Sequence, residues 1–370
     1  MVDPAPDRAG KRLRVGVIGA GVWAQVSHLP SLLARAEDVE LVAVCRHGAD
    51  ELREVAGRFG FALASEDYRD VLAADLDICI VSSPVSCHYE HAAAALEAGA
   101  HVLIEKPVTI DPADAWRLVD RARELDRHMV VAFGWNYLPT FVEAASLWES
   151  AGIGDVEHVM IHMASGTRQL LDGSSLFSAG PTETVVDTRT WTDPARSGGG
   201  YGQAQLSHIL GWTLGLTGLA ADQVYALGYQ PAGLAVELHD TMSIRFTNGA
   251  TGSVSGASFH SGSQDDRHQY EIRVFGSDGQ LHADLERDRL WLWRPDQPGV
   301  EVPLPQNAGA YHCRGPVNTL VDLVLGRPAV NRSPIELGAR TVDVLAAAYR
   351  SMSSGQPEPV TVLETMDGPP

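Results

Sequence analysis

Two α/β units in one chain are predicted by three observations. Short apolar runs alternate with helix-patterned segments five or six times between Leu13 and Gly134, which calls for right-handed βαβ units and a parallel, doubly wound sheet. From Ala220 to Trp293 the pattern becomes strand-like, with turns at Thr247-Asn248-Gly249 and Ser277-Asp278-Gly279, the signature of a mostly antiparallel open sheet of five or six strands. At 370 residues the chain also exceeds what one ordinary core organises. Residues 1–12 are expected to be a loose arm, 13–134 the first domain and 135–370 the second.

In chain order, Leu13–Gly19 is an apolar strand that runs into Gly19-Ala20-Gly21-Val22-Trp23-Ala24, a GxGxxA pattern opening a helix expected from Val22 to about Glu37. Gly19 permits a tight turn, Gly21 lets backbone approach a pyrophosphate, and Ala24 allows close helix–strand packing. The helix N-terminus then offers free N–H groups to phosphates. That is the Rossmann dinucleotide fingerprint, although a glycine turn alone is a weak signal. The second strand, Glu40–Cys45, ends in Cys45-Arg46-His47. An acid at this end reads the free 2′-hydroxyl of NAD, and an arginine accommodates the 2′-phosphate of NADP. Arg46, helped by His47, therefore favours NADP(H), with NAD(H) as the alternative.

A helix is expected over 49–59, a short segment over 61–64, and a strand over 77–81 that ends in Ser82-Ser83-Pro84. The alanine-rich helix beginning near Ser86-Cys87-His88 stops at Gly99. The strand His101–Ile104 then ends abruptly in Glu105-Lys106-Pro107. Two charges at the carboxyl edge of a sheet lie where such sheets bind ligands, which makes Lys106 the first candidate to touch a substrate. A helix over 112–125 and a strand over 128–133 complete the first unit. Beyond it come a helix over 138–151, a strand-like 154–165, a long polar run over 165–197, a helix over 201–216 after Ser197-Gly198-Gly199-Gly200, and closing helices over 315–325 and 335–352.

Composition narrows the partners. Acidic residues outnumber basic ones 47 to 28, for a net charge of -19, which argues against nucleic acid or an anionic membrane and leaves a local pocket free to bind an anionic cofactor. The polar N-terminus lacks an apolar leader-like run, and nothing approaches a membrane span. Cys45, Cys79, Cys87 and Cys313 form no CxxC pair, so a reducing, cytoplasmic setting is expected. His260, His268 and His312 show no ligand spacing, and no metal is expected.

These pieces together resemble the glucose–fructose oxidoreductase / inositol dehydrogenase (Gfo/Idh/MocA) family over nearly the whole chain. The carriers are Gly19-Ala20-Gly21 with His28-Leu29-Pro30, and Ser82-Ser83-Pro84 ahead of His88. To them are added the Ala95–Pro107 stretch ending in Glu105-Lys106-Pro107, the triple glycine eight residues before His208, and Ala346–Gly355. The resemblance implies a substrate-binding second domain whose open sheet pairs in homodimers or homotetramers. It also implies hydride transfer between nicotinamide C4 and a secondary alcohol or keto carbon of a sugar, sugar derivative or cyclitol. The cofactor is expected along Gly19, Ala20, Gly21, Val22, Trp23, Arg46, His47, Ser82, Ser83, Pro84, His88, Glu105, Lys106 and Pro107.

The family's catalytic set is a lysine in the Glu-Lys-Pro turn plus an aspartate and a histidine four residues apart after the triple glycine. Lys106 and His208 match, but the aspartate position is Ala204. His208 is assigned as the acid/base, with a pKa near working pH, and Lys106 as the group that steadies developing alkoxide charge. Substrate contacts are expected from Asn136, Asp187, Arg189, Trp191, Gln205 and His208; Asn136 stands where the family has a basic residue, which suits a neutral substrate. Two other activities stay open, a glycoside-cleaving enzyme that oxidises a ring carbon transiently and a non-catalytic dinucleotide-sensing regulator.

Overall fold

The computed structural model of the protein describes residues 11–174, 187–259 and 268–360. His260 and most of the expected N-terminal arm lie outside the described residues. Six strands, β1 (Leu13–Ile18), β2 (Val39–Cys45), β3 (Leu63–Ser65), β4 (Ile78–Val81), β5 (His101–Ile104) and β6 (Met129–Val131), form one sheet in the order β3-β2-β1-β4-β5-β6. Every pairing in it is parallel. The strand order reverses between β1 and β4, the switch point where α/β sheets bind ligands. The four residues of β4 are all buried, as expected of a strand covered by helices on both faces.

The helix after β1 differs from its expected span. Residues 24–28 adopt a wider π turn, Leu29–Leu33 returns to α geometry, and 34–38 are turn. Pro30 sits at the start of the second piece. It has no N–H to give to the helix ladder, and a π turn is one way to absorb that gap. Arg35 ends the element in ion pairs with Asp38 and Asp322.

The second sheet has nine strands, more than expected. Where five or six strands were expected between 220 and 293, six are present: β8 (Ala221–Tyr229), β9 (His239–Phe246), β10 (Thr251–Ala257), β11 (Gln269–Gly276), β12 (Gly279–Asp284) and β13 (Arg289–Arg294). They are joined by β7 (Val156–Ala164), β14 (Gln297–Val302) and β15 (Glu358–Pro359), in the order β14-β13-β12-β11-β7-β10-β9-β8-β15. Five of the six residues of β14 are exposed, so it carries no alternation to read. Only β7 and β10 pair in parallel.

The boundary at 134 is not a clean cut of the chain. Val317, Leu320 and Val321 of the helix Arg314–Val324 share a core cluster with Val15, Val17, Ile80 and Val130 of the first sheet. Segment 331–334 closes that sheet's edge, where Val131 N–H donates to Ser333 O and Ser333 Oγ donates to Val131 O. A second cluster runs without a break from Ile18 through Phe133 and Leu210 to Val344. One continuous core therefore fixes the parallel sheet against the helices of the second unit.

Candidate active site

The nucleotide side is assembled from the carboxyl ends of β1, β2 and β4. Gly19 has φ +93°, and a Cβ placed there would lie 2.3 Å from the Ser83 nitrogen, so only glycine lets the first turn press against the Ser82-Ser83-Pro84 turn. Gly19 and Ala20 N–H both donate to Cys45 O. Gly21 faces open space on its Cβ side, with no protein atom within 4 Å. Arg46 is half-buried; its Nη1 reaches Ala20 O at 3.4 Å and its Nε reaches the carbonyl of exposed His47. Burial pulls the Arg46 guanidinium down from its ordinary value, against Glu51 and Glu54. This turn, open beside Gly21 and flanked by a cation, fits a dinucleotide.

Glu105 organises the next turn. Its Oε1 accepts from Trp23 Nε1 at 2.8 Å and meets His28 Nε2 at 2.7 Å, while Oε2 accepts from Lys106 N–H. Burial pushes its carboxyl up, but the His28 contact and the Lys106 charge outweigh that and hold it below the ordinary value. Lys106, joined to Pro107 by a cis bond, extends across to the second unit and donates from Nζ to Ala204 O at 2.7 Å. Burial lowers the Lys106 pKa, with Glu105 opposing.

Ala204 lies in the π turn Gly202–Leu206, which leads straight into the helix Ser207–Thr217 carrying His208. His208 is 4% exposed and makes no hydrogen bond among the described residues. Its ring is set edge-on against Trp135 (4.7 Å between centroids), Tyr311 (5.4 Å) and Phe133 (6.3 Å). Burial, then the charges of Lys106 and His268, push its pKa well down. This corrects the expected pKa near working pH. With alanine at 204 the family's aspartate is missing beside the ring, and burial disfavours its charged form.

Several expected ligand contacts sit elsewhere. His88 is buried, its Nδ1 3.0 Å from Pro107 O and its Nε2 2.8 Å from Ser83 O. Both ring nitrogens lie against backbone carbonyls, so the His88 ring ties the Ser83 turn to the Pro107 turn. Asn136 has no exposed surface; its Nδ2 donates to Arg332 O and Gly211 O, so its donors go to backbone, while its buried Oδ1 has no partner among the described residues. Asp187 and Arg189 are exposed and bond each other at 2.8 and 2.9 Å. Trp191 is half-buried against the core. Gln205 is buried on the turn before His208 and keeps its side chain unbonded among the described residues.

Sequence reasoning offers Trp135 as an aromatic that could stack on a sugar, but not its meeting with Tyr270 and Tyr311 around His208. Tyr311 stacks on Trp23 at 5.8 Å, lies tilted against Trp135 at 4.0 Å, and bonds Cys313 Sγ through its hydroxyl. Tyr270 lies 4.9 Å from Trp135 with a buried hydroxyl that has no partner among the described residues. Trp135, Tyr270 and Tyr311 come from three distant segments. A residue-by-residue scan holds no signal of their meeting.

A parallel 3-2-1-4-5-6 sheet with a glycine turn at its switch point defines a dinucleotide-binding chain. Residues 13–133 match the oxidoreductase family with an NAD-binding Rossmann fold, and residues 141–282 match the GFO/IDH/MocA C-terminal domain. The chain belongs to the Gfo/Idh/MocA oxidoreductase family. It is 39% identical over 126 residues to the D-glucoside 3-dehydrogenase of Escherichia coli K12, covering 34% of this chain and 35% of that one. It is 34% identical over 143 residues to inositol 2-dehydrogenase 3 of Saccharopolyspora erythraea, covering 38% and 42%. The matched stretches thus span less than half the length of these two relatives. Among solved structures, levoglucosan dehydrogenase in complex with NADH and levoglucosan superposes with a TM-score of 0.77 at 20% identity, over 95% of this chain and 100% of that one. An oxidoreductase domain protein from Kribbella flavida gives 0.78 at 22% identity, over 95% and 100%. At such identities these two show the fold.

Proposed function

We propose that this chain is an NADP(H)-preferring dehydrogenase or ketoreductase acting on a secondary carbinol or keto carbon of a neutral sugar, sugar derivative or cyclitol. One observation carries the reading: Lys106 of the first unit bonds the carbonyl of residue 204, one helical turn before His208. An ammonium after a strand of the first unit and an imidazole on a helix of the second would then face one cleft, beside a turn shaped for a dinucleotide. The relatives named for glucosides and inositol support the substrate class.

A bound nicotinamide would supply or accept the hydride. Gly19, Gly21 and Arg46 would hold the phosphates, with Arg46 toward a 2′-phosphate. The neutral His208 ring has a lone pair to accept a carbinol hydrogen bond and lacks the charge of an acid. The proton moves through Lys106, whose lowered pKa makes its ammonium a stronger acid toward a ketone oxygen and its amine a usable base toward an alcohol. The aromatic box keeps water from that exchange and offers ring faces to the C–H surface of a sugar. Residues 13–134 would serve as the nucleotide unit and 135–370 as the substrate unit, with the nine-stranded sheet pairing copies into a dimer or tetramer. The four free thiols suit a reducing compartment.

The test mixes the protein with NADPH or NADH across a panel of keto-sugars and polyols and follows cofactor absorbance. Turnover faster with NADPH is the expected result. Glycoside cleavage without net cofactor oxidation selects the transient-oxidation alternative, and cofactor binding with no chemistry overturns the enzymatic reading.

A further inference from the structure

We propose that Glu237 is the positioning residue of the catalytic helix, setting through its carboxylate where Ala204 O and His208 stand relative to Lys106. This rests on the function proposed above. Glu237 lies just before β9, 6% exposed, and its side chain reaches the opposite end of the triple-glycine turn. It accepts from Gly200 N–H at 2.9 Å, from Gly202 N–H at 3.1 Å and from the Tyr349 hydroxyl at 2.6 Å. The same hydroxyl accepts from Gln203 N–H at 3.2 Å. The Glu237 backbone joins in, its carbonyl accepting from Tyr201 N–H at 3.1 Å. Four consecutive amides entering the catalytic helix, those of residues 200 to 203, are therefore held by one glutamate and the tyrosine it binds.

Close approach explains the glycines. A Cβ at Gly200 would lie 2.1 Å from Glu237 O, and one at Gly199 would lie 2.2 Å from the Tyr349 ring. The turn has no room for side chains because the glutamate and tyrosine occupy that space. Charge placement agrees. Asp240, 5% exposed with neither carboxyl oxygen bonded among the described residues, is pushed well up by burial and by Glu237. Burial raises the Glu237 carboxyl as well, and of the two acids it is Glu237 that collects the Gly200 and Gly202 amides and the Tyr349 hydroxyl. The helix has a fixed register where it meets Lys106: Ala204 N–H donates to Gly200 O, and Ala204 O receives Lys106 Nζ. A loosened first turn moves the lysine's partner and the histidine together.

The experiment compares Glu237→Ala, Glu237→Gln and Tyr349→Phe in the full chain by two readouts. The first is hydrogen–deuterium exchange of peptides covering 198–210, which needs no substrate. The second is kcat, read beside the cofactor Kd. Exchange over 198–210 is expected to quicken by roughly tenfold or more in Glu237→Ala. In the same variant kcat should fall by roughly 100-fold, the scale of an ångström of misplacement, with cofactor Kd within about threefold. Glu237→Gln keeps an acceptor for the glycine amides and should recover part of both losses, and Tyr349→Phe, which removes one hydroxyl only, should show a smaller version of each. Unchanged exchange over 198–210 in all three variants overturns the proposal, as does a cofactor Kd that weakens in step with kcat. Should the unsubstituted protein turn over no sugar or cyclitol, the proposed function fails, while the exchange comparison still decides the role of Glu237.

Discussion

The two sides of the proposed cleft are built differently. On the nucleotide side most groups of the two turns are paired within the chain, Gly19 and Ala20 N–H on Cys45 O and Glu105 on Trp23, His28 and Lys106, with His28 Nδ1 left without a partner among the described residues. On the substrate wall several buried polar atoms have no partner among the described residues, including His208 Nδ1, Gln203 Oε1 and the Tyr270 hydroxyl. Each such atom costs about 1–3 kcal/mol relative to a satisfied one. On the proposed function, the mostly satisfied side would position a cofactor by shape, whereas the unsatisfied atoms of the other would gain hydrogen bonds when a polyhydroxylated guest or ordered water enters. The nucleotide side would then be the more preformed of the two and the substrate side the more receptive.

Substitutions on either wall can break that contrast. The largest effect is expected from Lys106→Ala, which should cut kcat by roughly 1,000-fold and leave NADPH affinity within about threefold; single-turnover kinetics beside fluorescence titration measure both. Gly19→Val is the mirror image. Its side chain would collide with the Ser82-Ser83 backbone, so cofactor affinity should fall by roughly 100-fold in a calorimetric titration, with the His208 box intact by near-ultraviolet dichroism. Arg46→Asp is the third, and should lower the NADPH/NADH preference by roughly 10- to 100-fold, read as the ratio of the two kcat/KM values. An unchanged ratio removes the 2′-phosphate from Arg46.

The smallest effect concerns Glu105 and pH. Its folded-state pKa lies below the ordinary 4.5, so its contribution to stability is complete above that value and is lost as pH falls through the lower folded-state value. Glu105→Gln should therefore cost roughly 1–3 kcal/mol at neutral pH, and the gap should shrink as the solution is acidified below 4.5. Urea unfolding across that range checks it, and a gap independent of pH would show that the charge on Glu105 contributes nothing.

What was legible in the chain follows the same divide. Gly19-Ala20-Gly21 and Glu105-Lys106-Pro107 are local devices, each completed within a few residues, and the parallel sheet around them follows from the alternation of elements. The substrate wall depends on contacts between distant segments. The low pKa of His208 arises from the burial that Trp135, Phe133 and Tyr311 supply, and nothing adjacent to His208 announces them. His88 and Asn136 show the converse limit. Residue type marks them as able to bind a ligand, yet each satisfies backbone carbonyls that only the folded chain brings near. The helix Arg314–Val324 was expected as a helix, but its return to the first sheet is a tertiary choice without a local cue.

The convergence of Lys106 and His208 is tested most directly by a crystal structure of the protein with NADPH and a polyol that it turns over. The carbinol oxygen should lie within hydrogen-bond distance of both Lys106 Nζ and a His208 ring nitrogen, with its carbon facing nicotinamide C4. A polyol seated there with His208 still enclosed by Trp135 and Tyr311, touching no ligand atom, would contradict the account.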